Sequence, residues 1–177
     1  MKKLAIFVVA LMSLSGARAS MLDVYIGLTG SMGESVAYFP SSAGGKSTQG
    51  MGGLGAVFGF DVPVFRIEGE YNYMLARDLR LSAGLLNVYV KPLPIPLIKP
   101  YVGLGAGTIL SGTVNDENAK GSPAFQGMLG FQIDVPVTSL FVDLEGRLFY
   151  ASEIYEIANR SVGFVQYDWR VKLRYAF

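Results

Sequence analysis

Apolar and polar residues alternate along most of this chain. In the last segment every odd position from 165 to 177 is apolar or aromatic, and the even positions from 166 to 174 are polar. A strand sorts such residues onto two faces, whereas a helix scatters them around its circumference. Similar segments lie at about residues 22–30, 53–62, 65–75, 79–90, 98–110, 124–135 and 140–150. The pattern therefore predicts eight strands.

The connections between these segments fall into two kinds. Residues 61–64 and 134–137 both read Asp-Val-Pro-Val, and residues 91–100 read KPLPIPLIKP. Because proline is excluded from central strands, these three stretches are predicted to be turns. The other joins, at 31–52, 76–78, 111–123 and 151–163, are mostly longer and rich in Ser, Gly, Asn and charge. One end of the sheet is thus predicted to carry tight turns and the other end loops.

The alternation shifts phase once, in the fourth predicted strand. Leu81, Ala83 and Leu85 have one parity, and the apolar residues from Leu86 to Val90 have the other. A β-bulge at Leu85–Leu86 would bring both sets onto one face. We expect a bulge at that point.

Three features predict that the apolar face points outward, to lipid. Eight spans of about ten residues suit tilted strands that cross hydrocarbon. The polar face is crowded with small residues, which a narrow eight-stranded lumen needs: Gly53, Gly55, Gly59, Gly103, Gly105 and Gly107. Aromatic residues of the apolar face gather at the strand ends, as interfacial girdles do: Phe60, Phe65, Phe131, Tyr175 and Phe177 at the turn end, and Tyr73, Phe125, Tyr150 and Tyr167 at the loop end. The fold class is therefore all-β: an eight-stranded antiparallel up-and-down transmembrane β-barrel with a polar, filled lumen.

The polar face carries nearly equal numbers of acidic and basic residues, with Arg80 among the bases. Because an unpaired charge in a narrow lumen is costly, we expect a closed lumen with an internal ion-pair network. Its predicted members are Arg66, Glu68, Glu70, Asp143, Glu145, Arg147, Asp168, Arg170 and Lys172. Four further charges, Asp61, Lys99, Asp134 and Arg174, are expected near the rims and in contact with water.

Composition narrows the possible activities. The 177 residues are 51% hydrophobic and 16% charged, with no Cys and no His. The commonest general base and metal ligand is therefore missing, and so are thiol nucleophiles. We expect no enzyme activity, no catalytic residue, no cofactor and no metal site. The formal net charge of +1 also argues against a nucleic-acid partner.

The first residues have the three-part pattern of a secretory signal peptide. Lys2 and Lys3 precede an apolar run from Leu4 to Met12, and Ala17-Arg18-Ala19 offers a cleavage site. The apolar run is too short for a spanning helix, which needs about 20 residues. We predict a cleaved signal peptide at 1–19 and an outer-membrane barrel domain at 20–177.

Several of these residues carry a family resemblance. With its signal peptide, Asn87, the stretch from Lys99 to Gly107 and the terminal Tyr175-Ala176-Phe177, the chain resembles the small eight-stranded outer-membrane barrels. These include the OmpA-like transmembrane domain and the opacity and surface-antigen porin-like proteins. In that family the terminal aromatic residues, here Tyr175 and Phe177, form a signal for the barrel-assembly machinery. The glycine usual five residues before the end is replaced here by Lys172.

The resemblance implies a structural, surface-exposed module in the outer membrane of a Gram-negative bacterium. Its implied partners are outer-membrane lipids, lipopolysaccharide, the assembly machinery and a host or surface ligand of the loops. Adhesion, a role as surface antigen and envelope integrity are all compatible with it. The known barrel enzymes that act on lipid A look like Ser-His catalysts, which this chain cannot be. A narrow porin-like channel is the alternative function, and a soluble lipocalin-like ligand-binding barrel is a third.

Overall fold

The computed structural model describes residues 22–38, 46–77, 79–92, 98–114, 117–118, 121–157 and 160–177. The predicted signal peptide at 1–19 lies outside the described residues, as do the tips of most predicted loops. No helix in the described ranges is long and apolar enough to cross a membrane.

The described chain is built from nine strands. They are β1 (Asp23–Tyr38), β2 (Lys46–Asp61), β3 (Phe65–Leu75), β4 (Leu79–Val90), β5 (Ile98–Val114), β6 (Glu117–Asn118), β7 (Pro123–Asp134), β8 (Leu140–Ile157) and β9 (Arg160–Ala176). The two-residue β6 pairs only with the loop end of β5. The other eight strands correspond to the eight predicted ones.

These eight strands close into a barrel. Each of the eight pairs antiparallel with the strand before it and the strand after it in the chain. Because β6 is not part of the barrel wall, β5 pairs with β7. The last strand, β9, pairs with both β8 and β1, which closes the sheet on itself. The eight-stranded up-and-down barrel predicted from the alternation is confirmed.

Several strands run further toward the loop end than predicted. β1 and β2 stay paired as far as Tyr38 and Lys46, and β8 and β9 stay paired as far as Ile157 and Arg160. The alternation could not show this, because backbone pairing in a hairpin above the apolar belt does not require apolar side chains. β3 and β4 instead end close together, at Leu75 and Leu79, so the barrel wall is lower there.

The predicted bulge in β4 is wrong. Inward and outward positions alternate without a break through Leu85 and Leu86, which places Leu85 in the lumen and Leu86 on the outside. The irregularity lies in β5: Ser82 pairs with Ser111 and Ala83 with Ile109, so Leu110 has no partner in the ladder. The apolar residues that break the pattern in β4 face the lumen.

The outer surface is apolar, as predicted. Leu28, Leu54, Leu104 and Leu129 are all at least 65% exposed on outward positions of four different strands. The predicted girdle residues also point outward: Phe60, Phe65, Phe131, Tyr175 and Phe177 near the turns, and Tyr73, Phe125, Tyr150 and Tyr167 near the loops. Such a surface is stable only against hydrocarbon, which excludes the soluble lipocalin-like arrangement.

Glycines on the lumen face make room for large inward side chains. A Cβ at Gly103 would press against the Tyr89 ring and lie 2.9 Å from Met128 Cε, and a Cβ at Gly130 would lie 2.8 Å from Tyr101 Oη. The barrel is too narrow to hold these rings beside further side chains. Small residues are therefore a packing requirement of this lumen.

We expect Gly103→Val to destabilise the barrel by about 1–3 kcal/mol, because the new side chain overpacks the lumen against Tyr89. Urea unfolding of the refolded protein in detergent micelles measures the change. Gly69→Val is the matched control: Gly69 faces outward, and its Cβ would meet only a backbone oxygen 3.7 Å away. Equal stability of the two variants would contradict this packing requirement.

Candidate functional site

The lumen holds a charge-balanced set of buried side chains. Among the described residues, twelve buried side chains are charged, six of each sign. The acids are Asp61, Glu68, Glu70, Asp143, Glu145 and Asp168, and the bases are Arg66, Lys91, Arg147, Arg170, Lys172 and Arg174. Burial of an uncompensated charge is strongly unfavourable, so this balance is a condition for the lumen to be dry.

At the turn end the cluster is organised by Asp143. Arg174 donates from Nε and Nη2 to the two carboxylate oxygens, each at 2.9 Å, and Arg66 Nη1 donates to Oδ2 at 2.9 Å. Arg174 also reaches Asp61 at 3.2 Å, and Asp61 pairs with Lys91 just after the end of β4. Burial lowers the pKa of the Lys91 ammonium, and the Asp61 carboxylate opposes that shift.

Glu68 occupies the middle of the lumen. It accepts hydrogen bonds from Tyr25 Oη at 2.7 Å, Tyr89 Oη at 2.8 Å and Lys172 Nζ at 2.9 Å. Lys172 also lies 3.3 Å from Glu145, which accepts a hydrogen bond from Tyr101 Oη at 3.0 Å. Three tyrosine hydroxyls thus complete the solvation of two carboxylates that water cannot reach.

Glu70 and Asp168 organise the next level toward the loops. The Glu70 carboxylate forms an ion pair with Arg170 and accepts hydrogen bonds from Asn87 Nδ2 at 2.7 Å and from Gln126 Nε2 at 3.1 Å. The Asp168 carboxylate accepts hydrogen bonds from Gln166 and from Arg147, whose Nε lies 3.1 Å from each carboxylate oxygen. Ion pairs and amides therefore continue in one network across β3, β4, β7, β8 and β9.

Aromatic rings cover the faces of the guanidinium groups. Arg66 Cζ lies 4.0 Å from the centre of the Tyr89 ring and 4.8 Å from that of Tyr101, and Arg174 Cζ lies 4.6 Å from that of Tyr25. Cation–π contact of this kind is strongest where water is excluded. The same tyrosines thereby compensate carboxylates with their hydroxyls and cations with their rings.

An apolar layer lies between the ion pairs and the loop end. Its buried members all face the lumen: Met51, Met74, Leu81, Ala83, Leu85, Ile109, Ala124, Phe149, Ala151 and Phe164. Phe149 and Phe164 meet edge to face at 6.2 Å, and Arg147 caps the layer from below, with Cζ 5.3 Å from the Phe149 ring centre. The lumen is polar and filled below this layer, as predicted, and hydrophobic within it.

The structure places all nine predicted network residues in the lumen and brings each of them into an ion pair: Arg66, Glu68, Glu70, Asp143, Glu145, Arg147, Asp168, Arg170 and Lys172. Two rim assignments are wrong, because Asp61 and Arg174 are buried in ion pairs. Lys99 and Asp134 do lie at the rim of the turn end. Both are partly exposed, and Lys99 Nζ lies 2.5 Å from Asp134 Oδ2. Arg80 is exposed on the outer face and takes no part in the lumen.

Sequence reasoning missed the uncharged members and one cation. Tyr89, Tyr101 and Gln126 fall on inward positions of their strands, so parity alone could have assigned them to the lumen. Asn87 stood out in the sequence only through the family resemblance. Lys91 follows β4 in a segment that reads as a turn, and no periodicity points to it.

The network offers little to substrate chemistry. Its carboxylates are all held by cations, amides or hydroxyls, and in the described ranges no three acidic side chains are grouped to hold a metal ion. A few buried atoms, such as Arg66 Nε and Asn72 Nδ2, have no hydrogen-bond partner among the described residues. The arrangement fills the lumen with paired side chains.

The terminal residues complete the closing strand. The backbone N–H of Phe177 donates to the carbonyl oxygen of Val24 on β1, with a donor–acceptor distance of 2.9 Å. The backbone N–H of Ala176 donates to the carbonyl oxygen of Ser139, just before β8, also at 2.9 Å, so residues 176 and 177 are hydrogen-bonded on both sides. The rings of Tyr175 and Phe177 meet edge to face at 5.3 Å on the outer surface. This places the predicted assembly signal in reach from the lipid side.

Comparison with known proteins bears on the fold. No protein-family model and no curated protein matches the chain. Among solved structures it is similar to Neisserial surface protein A, with 17% identity, a TM-score of 0.59, and coverage of 87% of this chain and 97% of that one. It is also similar to OprG from Pseudomonas aeruginosa, with 13% identity, a TM-score of 0.52, and coverage of 89% and 96%. The outer membrane protein AlkL matches at 13% identity and a TM-score of 0.52 over 92% and 93% of the two chains.

The chain has the fold of the small eight-stranded outer-membrane β-barrels. This agrees with the resemblance drawn from its sequence. Together with the apolar outer surface, the fold is that of a barrel that crosses a membrane with its strands.

We expect Asp143→Asn to cost about 3–5 kcal/mol of stability, because it leaves Arg66 and Arg174 buried without their shared carboxylate. Urea unfolding in detergent micelles measures it. Asp134→Asn breaks a partly exposed pair at the mouth and should cost about 1 kcal/mol or less. If the two variants unfold at the same urea concentration, Asp143 does not organise the turn end of the lumen.

Proposed function

We propose that this protein is a closed-lumen anchor that holds surface-exposed loops in the outer membrane. The observation that carries the proposal is the filling of the lumen: a balanced ion-pair network in the turn half and an apolar layer in the loop half. An ion that entered would have to displace paired charges and then cross a hydrophobic constriction, which resists wetting. Such a barrel is a scaffold, and specificity falls to the loops.

The long hairpins support the surface role. β1–β2 and β8–β9 carry the barrel wall well above the short β3–β4 connection, on neighbouring strands. The connections between Tyr38 and Lys46 and between Ile157 and Arg160 would then be presented outside the cell. Neisserial surface protein A, one of the similar structures, is a surface protein by name. Adhesion, a role as surface antigen and support of the envelope are the activities that this arrangement suits.

The remaining parts of the proposal concern partners and chemistry. The lipid-facing surface would contact outer-membrane lipids and lipopolysaccharide, the loops would contact a host or surface ligand, and Tyr175 and Phe177 would be recognised by the barrel-assembly machinery. A processed signal peptide at 1–19 would direct export. We propose no enzyme activity, since the chain has neither His nor Cys and its lumen carboxylates are engaged.

The closed lumen is tested by planar-bilayer recording of the refolded protein. We expect no stable, large conductance, because the network and the apolar layer obstruct the path. A steady open state in the wild type would overturn the closed-lumen proposal in favour of the narrow porin-like channel.

Loop exposure is tested by protease treatment of intact and lysed cells. We expect cleavage in intact cells between Tyr38 and Lys46, the ends of β1 and β2, while the barrel strands resist in both samples because their backbone is paired. Deletion of residues 36–48 should leave the barrel able to fold, as judged by gel mobility without heating, and should abolish that cleavage. Cleavage in lysed cells alone would place these loops on the periplasmic side.

A further inference from the structure

A groove crosses the outer, lipid-facing surface of the barrel from β4 to β9. It runs between two rows of outward residues, each formed by cross-strand partners on β4, β5, β7, β8 and β9. One row leads from Val90 to Trp169, and the other from Val88 to Tyr167. The floor is the backbone of the inward residues between the rows. We call this feature the β4–β9 groove.

Two glycines deepen the groove. Gly127 interrupts one row and Gly146 the other, on adjacent strands. Around Gly127 no atom lies within 4 Å of where a Cβ would be, and a Cβ at Gly146 would meet only the Trp169 ring at 3.6 Å and a backbone oxygen at 3.9 Å. The groove is open on its outer side, has a volume of about 900 Å³, and has a mostly apolar lining. Four strand spacings of about 4.8 Å make it roughly 19 Å long.

The β9 end of the groove differs from its β4 end. Trp169 is 76% exposed and Tyr167 54% exposed there, and neither the indole N–H nor the tyrosine hydroxyl has a hydrogen-bond partner among the described residues. Tyr167 belongs to the loop-end girdle, the depth at which lipid carbonyl groups accept hydrogen bonds. The groove is thus apolar along its length and offers hydrogen-bond donors at one end.

We propose that the β4–β9 groove binds one acyl chain of an outer-leaflet lipid. The chain would lie between the two rows, and its carbonyl end would face Trp169 and Tyr167. The shape favours a single chain over a second copy of the protein, because the groove is one row wide and a protein partner would need a matching narrow ridge. This inference deepens one part of the proposed function, the contact of the lipid-facing surface with outer-membrane lipids, and it rests on the barrel lying in a membrane; it does not depend on the closed lumen or on the loops.

Trp169 is the only tryptophan of the chain, so its fluorescence reports on the groove. The test adds phosphatidylcholine with brominated acyl chains to the refolded protein in a large excess of detergent. Wild type should lose at least half of its fluorescence at a few lipids per protein. Gly127→Leu fills the open space in the groove and should need at least tenfold more lipid for the same quenching.

Gly69→Leu is the matched control, because Gly69 also faces lipid but lies on β3, outside the groove; it should titrate like wild type. Far-UV circular dichroism checks that all three proteins are folded. Identical titrations of wild type and Gly127→Leu would overturn the proposal, since quenching would then follow bulk lipid alone. A change of oligomeric state in Gly127→Leu without a change in quenching would also overturn it, and would assign the groove to a second copy.

Discussion

Closing only eight strands leaves a lumen that side chains must fill completely, and the interior of this protein follows from that constraint. Polar side chains that point inward lose water and must find partners among themselves. Asp143 therefore lies between two arginines, and Glu68 lies beneath two tyrosine hydroxyls and a lysine. Glycines stand opposite the largest rings because no other residue leaves enough space. Packing, hydrogen bonding and charge balance in this barrel are consequences of one geometric limit.

The outer and inner faces of the sheet have different surroundings. Outward positions meet hydrocarbon and need only be apolar, so they tolerate cavities such as the β4–β9 groove. Inward positions meet other side chains and tolerate almost no change in size or charge. The apolar layer around Phe149 adds a second barrier above the ion pairs, which separates the buried charges from the water at the loop end. This arrangement is the basis for our proposal that the barrel is a support and not a passage.

Period-two alternation was sufficient to predict the strands, their number and the inversion of the apolar face, because side-chain parity is a direct consequence of strand geometry. It misassigned β4, where Leu81, Ala83 and Leu85 are apolar and yet face the lumen; parity cannot tell an apolar lumen layer from a bulge. It also placed Arg174 and Asp61 in water, since distance along a strand does not show which partners reach across the barrel. Lys91 could not be found, because its role depends on the three-dimensional position of a turn.

The position of the lumen charges along the chain couples neutrality to closure. Without β9, the buried charged residues of the other described segments number five acids and three bases, an excess of two negative charges. β9 brings Arg170, Lys172 and Arg174 together with Asp168, an excess of two positive charges. The strand that completes the hydrogen-bonded barrel thus also neutralises the excess negative charge of the lumen. An open sheet that lacks β9 would carry two uncompensated negative charges on its inner face, and these are neutralised only when β9 joins both of its neighbours.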